Sequence, residues 1–373
     1  VTWPVVRAVA RLLIGWATVI LFFAFGASWL ADLTSTVKAT VLFAWLLGVI
    51  MWCAFGVVEE ADHLAHILDE PLGTLILTLS IVIIEVALIT AVMLGAAAVP
   101  TLGRDTMFAV LMIVLNGVVG LALLLGGIRY HQQEYNLQSG VAYLAVIGPL
   151  SVIALVLPNF TRSTPDPTLS GTQAFFFATF TILLYGVFLA VQTVRHRHFF
   201  MDAPRAGADV APAGETRHPV SARAVVRHAV LLVVLVLPIV LLAKQLAKLI
   251  DYSIAVLGAP AALGGVLVAL IVFTPEGLSA LRAALANQLQ RAVNLCLGGA
   301  LSTIGLTVPA VLAVAWITGR PVVLGVEPAS VVLLAITLGL CMLTFTATPT
   351  TTVLEGVVHL VVFLVYVVLI FSP

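Results

Sequence analysis

The sequence predicts an all-α polytopic membrane protein of about 11 transmembrane helices: one leading helix, then two inverted five-helix repeats. Three observations predict it. Hydrophobic residues make up 62% of the chain and charged ones 9%, with a mean hydropathy of +1.18; soluble domains carry about 25% charged residues. Apolar windows of membrane length recur from end to end, without the short apolar–polar alternation of a barrel. Two glutamates, Glu85 and Glu276, interrupt two such windows in matching contexts, GTLILTLSIVIIE and GGVLVALIVFTPE, each twelve residues after a glycine, Gly73 or Gly264.

The expected spans are 5–30, 38–60, 72–99, 106–128, 137–158, 171–194, 225–250, 260–282, 288–318, 328–347 and 352–371. The first follows Arg7 and Arg11 and lacks a small-residue cleavage site, so it reads as a retained helix rather than a signal peptide. The third and eighth spans carry the glutamates. The shift from one to the other is five helices, an odd number, so the two copies are expected to cross the membrane in opposite directions. The chain then divides into a leading helix (1–35), a first repeat (36–194), a cytoplasmic linker (195–224) and a second repeat (225–373). Two further marks agree. ADHLAHIL (61–68) resembles AKQLAKLI (243–250), and the next spans each carry Asn-x3-Gly, Asn116–Gly120 and Asn294–Gly298. The linker is rich in Ala, Pro and Gly and has no GxxxxGKS/T pattern, which argues against an ATP-driven pump. Placing the N-terminus in the cytoplasm and the C-terminus outside puts eleven Lys and Arg inside and six outside.

A carboxylate at bilayer depth costs roughly 3 kcal/mol on insertion scales, so such residues are rarely accidental. Glu85 has no Lys or Arg in its own helix. Stripped of water, an isolated carboxylate holds a proton, and a bound cation would reverse this by favouring the charged form. Proton and cation then compete for one group, the minimal chemistry of exchange. Thr78, seven residues earlier, shares its face and could add a hydroxyl oxygen. Glu276 follows Pro275, which leaves the Ile271 carbonyl without its helical donor; such a carbonyl is a hard ligand suited to Na+ or Ca2+. A Pro kink without any ligand role is the rival. Asn294, Gly298, Ser302, Gly305 and Pro309 form one stripe by three- and four-residue steps. For Asn116, Asn294 and Ser302, ion contact and interhelical hydrogen bonding are the two alternatives.

Glu59, Glu60, Asp62, His63, His66, Asp69 and Glu70 cluster where the second span meets the cytoplasm. His63, His66 and Glu60 are candidates for pH sensing, or the group is a cation funnel or a solvated helix end. Glu355 and His359, one turn apart, are expected to pair. Arg195–His198 reads as a positive anchor, because no Cys or carboxylate sits at ligand spacing. Cys53, Cys296 and Cys341 fall in apolar helices at unrelated spacings and read as packing residues. No nucleophile–base pair or HExxH pattern points to an enzyme, and zero formal net charge gives no sign of nucleic-acid binding.

On ADHLAHILDEPLGTLILTLSIVIIEVALI, RDTMFAVLMIVLNGVVGLALLLGG, ILLYGVFLAVQTVRHRHFF and FTPEGLSALRAALANQLQRAVNLCLGGALSTIGLTVPAV, the chain resembles the Ca2+:cation antiporter superfamily, most closely its bacterial ChaA-type sodium/calcium–proton antiporters. The resemblance implies a ten-helix inverted-repeat core with one added helix. It also implies proton-coupled export of Na+ or Ca2+, with K+ a further candidate, across a bacterial inner membrane, without ATP or a bound cofactor. The family's central acids carry over onto Glu85 and Glu276, the metal-ion ligands, and the helix after each lines the ion site. There the first-repeat position matches Asn116, and the second falls on Gly299, Ser302 or Thr303. Ca2+/proton exchangers of the superfamily carry GNxxE, where this chain has VIIE and FTPE. The missing Asn removes an oxygen ligand from each half and favours Na+ or K+. A dedicated Ca2+/H+ exchanger and a cation channel are the alternatives.

Overall fold

The computed structural model describes residues 3–31, 33, 35–68, 72–93, 100–201 and 222–372. Eleven long helices carry the described chain: α1 (Trp3–Ala31), α2 (Thr36–Leu68), α3 (Leu72–Met93), α4 (Leu102–Tyr130), α5 (Leu137–Leu155), α6 (Gly171–Arg195), α7 (Ala222–Leu257), α8 (Ala262–Leu285), α9 (Leu289–Thr318), α10 (Pro328–Thr346) and α11 (Val353–Phe371). Ten of them, all but α3, meet the length and apolarity of a membrane span over their described residues. The expected spans thus reappear as helices. Two run further than expected. α2 continues through the acid and histidine cluster to Leu68, and α7 reaches Leu257.

Local chemistry sets the starts. Ser170 and Thr352 cap α6 and α11 with reciprocal side-chain and backbone hydrogen bonds to Gln173 and Glu355. Asn136 caps α5, and Pro328 opens α10 at a position where the missing N–H costs nothing. Gly319, at φ 66°, ends α9 in the left-handed conformation.

α4 is the most buried span, and it packs against α8 and α11. Glycines allow the close crossings. A Cβ at Gly120 would stand 2.8 Å from Leu360 and 3.0 Å from the Gly356 carbonyl. One at Gly265 would stand 2.7 Å from the backbone of Asp105. α2 and α7, the first helices of the two halves, lie along each other, and α1 packs on both. Arg11, 5% exposed, is held by Glu59 of α2 at 2.5 Å, with Arg7 at 3.1 Å from the same carboxylate.

The halves are also stitched at the end where the linker leaves. β1 (Gln133–Glu134) pairs antiparallel with β2 (Thr350–Thr351). Tyr130 donates to the Leu285 carbonyl at 2.8 Å, Gln133 to that of Ala284 at 2.8 Å and Tyr135 to that of Thr348 at 2.7 Å. The Asn136 amide donates to Gln290 at 2.7 Å. The three cysteines are buried and free.

α4 and α9 each break their α-helical pattern once. Ile113–Val118 and Thr303–Thr307 are π-turns, following the glutamates of α3 and α8 at nearly equal distances along the chain. α3 packs against the π-turn of α9, and α8 against that of α4. Each half therefore sets its glutamate helix on the other half's irregular turn, the crossed arrangement expected of inverted copies.

Candidate ion-binding site

Both glutamates are buried, Glu85 1% and Glu276 6% exposed. The Thr307 and Thr303 hydroxyls donate to Glu85 Oε2 at 2.9 and 3.1 Å. Among the described residues, Glu85 Oε1 is buried without a hydrogen-bond partner. Among them Glu276 Oε2 is likewise buried and unpartnered, and it lies 3.2 Å from where a Cβ on Gly299 would stand. Phe273 fills the rest of that space, so only glycine fits at 299. Gly299, Thr303 and Thr307 recur every four residues along α9, and both carboxylates contact this one helix. The Glu85 and Asp62 charges lie within electrostatic reach of Glu276.

A buried oxygen with no donor carries a penalty of about 1–3 kcal/mol, more when charged. A proton or a cation removes it. The threonine hydroxyls suit both cases: each donates to the carboxylate and keeps a lone pair for an ion. Among the described residues no group of three His, Cys, Asp or Glu side chains gathers.

The other sequence candidates divide. Of the three register positions on α9, Gly299 and Thr303 touch the glutamates, while Ser302 turns back to the Gly299 carbonyl at 2.9 Å. Ile271 is buried, four residues before Pro275 in a continuous helix. Asn116 lies inside the α4 π-turn, fully buried, and donates to Thr337 at 2.9 Å. Its Oδ1 accepts from His359 at 3.2 Å, and the other nitrogen of that ring meets Thr344 at 3.0 Å. Asn294 stands near the linker end, bonded to the Phe200 carbonyl at 2.6 Å and to Gln290 at 2.9 Å. The two asparagines are therefore not counterparts, and the Asn-x3-Gly pairing is a coincidence of composition.

Glu355 and His359 do not pair as expected. Glu355 turns back to cap α11, accepting from the Thr352 amide at 2.9 Å, while His359 turns inward. Glu60 meets His228 of α7 at 2.6 Å, and the His63 ring lies 5.3 Å from that of His228. The side chains of Thr78 and His66 lie outside the described residues. Thr307 and His228 were missed by the sequence reading. The four-residue spacing Thr303–Thr307, one turn from Gly299, was the available signal for the first; nothing local marked the second.

Two helices, α3 and α8, each bring one buried carboxylate to a shared third helix, α9. The chain belongs to the sodium/calcium exchanger protein family, which it matches over residues 38–194 and 227–372. It is 40% identical to the y4hA protein of Sinorhizobium fredii over 89% of each chain. It is 39% identical to the sodium-potassium/proton antiporter ChaA of Escherichia coli over 92% of each. The fold is that of YfkE, with a TM-score of 0.71 at 16% identity, covering 97% of this chain and all of the other.

Proposed function

We propose that the chain is a secondary cation/proton antiporter of a bacterial inner membrane, not an enzyme, exporting Na+ or K+, and Ca2+ less readily, against protons. One observation carries this reading: Glu85 and Glu276, from two separate helices, meet α9, and among the described residues each keeps a buried oxygen without a donor. Leaving both charged and empty costs several kcal/mol, so one or the other cargo must be aboard before the site changes sides. That requirement couples the two fluxes without ATP or a bound cofactor. The relative named as a sodium-potassium/proton antiporter supports the same cargo. The positions before the two acids, VIIE and FTPE, lack the asparagine oxygen of the GNxxE pattern, which favours monovalent ions. The N-terminus and the linker face the cytoplasm, consistent with the excess of Arg on that side.

The test is proton movement in everted vesicles on adding Na+, K+ or Ca2+ separately. Exchange is expected with the monovalent ions. Current driven by voltage alone, with no proton countermovement, would instead identify a channel.

A further inference from the structure

The two π-turns spend their polar side chains differently. Thr303 and Thr307 of the α9 turn face Glu85. The α4 turn, IVLNGV, has one polar side chain, Asn116, and it faces α10 and α11. There it meets His359 of α11, which is fully buried. The Asn116 amide nitrogen donates to Thr337 at 2.9 Å, so its Oδ1 is left to accept from His359 Nδ1 at 3.2 Å. The other ring nitrogen, Nε2, meets the Thr344 hydroxyl at 3.0 Å. The Leu115 carbonyl of the same turn is within hydrogen-bonding reach of the ring.

A π-turn is a rare pattern whose bonds reach five residues back, as the Val119 amide does to Val114. Contacts from outside the helix hold such a turn against the commoner α-helical pattern. On one side of the α4 turn, Phe363 of α11 lies 3.4 Å from where a Cβ on Gly117 would stand, with the His359 bonds beside it. On the other, Val118 lies 3.3 Å from where a Cβ on Gly277 would stand, and Gly277 follows Glu276. The turn therefore lies between His359 and the helix that carries the acid, while both ring nitrogens of His359 bond elsewhere than to a glutamate. We propose that His359 is a positioning residue for the exchange: it pins the α4 π-turn, the seat of the Glu276 helix, and so sets how fast the loaded site changes sides. Cargo affinity stays with the acids and the hydroxyls that touch them. Packed helices switch between discrete arrangements, so a pin on one of them acts on the conformational step. The inference rests on the antiport reading above and adds to it a residue outside the ion site.

Three substitutions separate the pin from mere packing. The amide nitrogen of an asparagine stands where Nδ1 does and that of a glutamine where Nε2 does, although glutamine is nearer histidine in size. His359→Asn therefore keeps the donor to Asn116, His359→Gln keeps only the Thr344 partner, and His359→Leu keeps neither. In everted vesicles given Na+, His359→Gln and His359→Leu should lower the maximal rate at least fivefold, with half-saturating Na+ within about twofold. His359→Asn should restore at least half of the rate. Asn116→Leu should match His359→Leu, and the double change should cost no more than either alone. Hydrogen–deuterium exchange of the full chain in detergent reads the turn without transport: the amides of 113–120 should exchange at least fivefold faster in His359→Gln than in His359→Asn. The inference is overturned if His359→Gln restores the rate as well as His359→Asn, if half-saturation moves as far as the rate, if the costs of His359→Leu and Asn116→Leu multiply, or if the two variants exchange alike at 113–120. Should His359→Leu fail to fold, the comparison of His359→Asn with His359→Gln decides between the outcomes. An unmutated protein that moves no protons on Na+, K+ or Ca2+ would sink the antiport reading, while exchange at 113–120 would still decide whether His359 pins the turn.

Discussion

The two halves hold their glutamates differently. Glu85 is gripped by two hydroxyls from the α9 π-turn and is 1% exposed. Glu276 has, among the described residues, no hydrogen-bond donor on its Oε2 and rests against a bare glycine, and Pro275 just before it lines a cleft between α2 and α8. The two acids thus stand in unlike surroundings, one gripped by hydroxyls and the other against a glycine.

Substitution can break this contrast at several points. The largest effect belongs to the acids themselves: Glu85→Gln and Glu276→Gln should each abolish cation-induced proton movement while the protein still inserts and folds, as judged by yield and by monodispersity in detergent. Gly299→Ala comes next. The added methyl meets Phe273 and Glu276 Oε2, so exchange should fall at least tenfold, with a thermal-stability loss matching about 1–3 kcal/mol of overpacking. Thr303→Val with Thr307→Val strips Glu85 of both donors. At about 1–3 kcal/mol per lost bond to a buried acceptor, apparent cation affinity should drop roughly tenfold or more, and each single change should cost less. If instead the double change left affinity intact, the two acids would be held alike in function despite their surroundings. Asn294→Ala should be mildest: a modest loss of stability, with half-saturation by Na+ or K+ unchanged, because its bonds go to Phe200 and Gln290 rather than to the site.

Much of this was legible in the residues alone. Eleven apolar stretches announce eleven helices because the bilayer demands both length and apolarity, and all eleven reappear, with α2 and α7 running further than expected. Glu85 and Glu276 stand out because charge is costly where they sit. What the linear pattern hid was the π-turns. A single extra residue in a helix leaves no compositional trace, yet α3 and α8 each pack against such a turn. The stripe through Asn294 and Ser302 pointed to the wrong face because spacing groups residues on one face without saying which neighbour that face meets. Pairings across great sequence distance were equally silent: Glu60 with His228, and His359 with Asn116, join helices from opposite halves.

The stitching at the linker end bears on how such a molecule could arise and be dismantled. Strand pairing and four further hydrogen bonds tie residues 130–136 to 284–290 and 348–351, so contact between the halves does not depend on the peptide that joins them. Two polypeptides separated within 202–221 and produced together in one cell should find each other and copurify. A pair of short genes, fused late, would then be a sufficient ancestor.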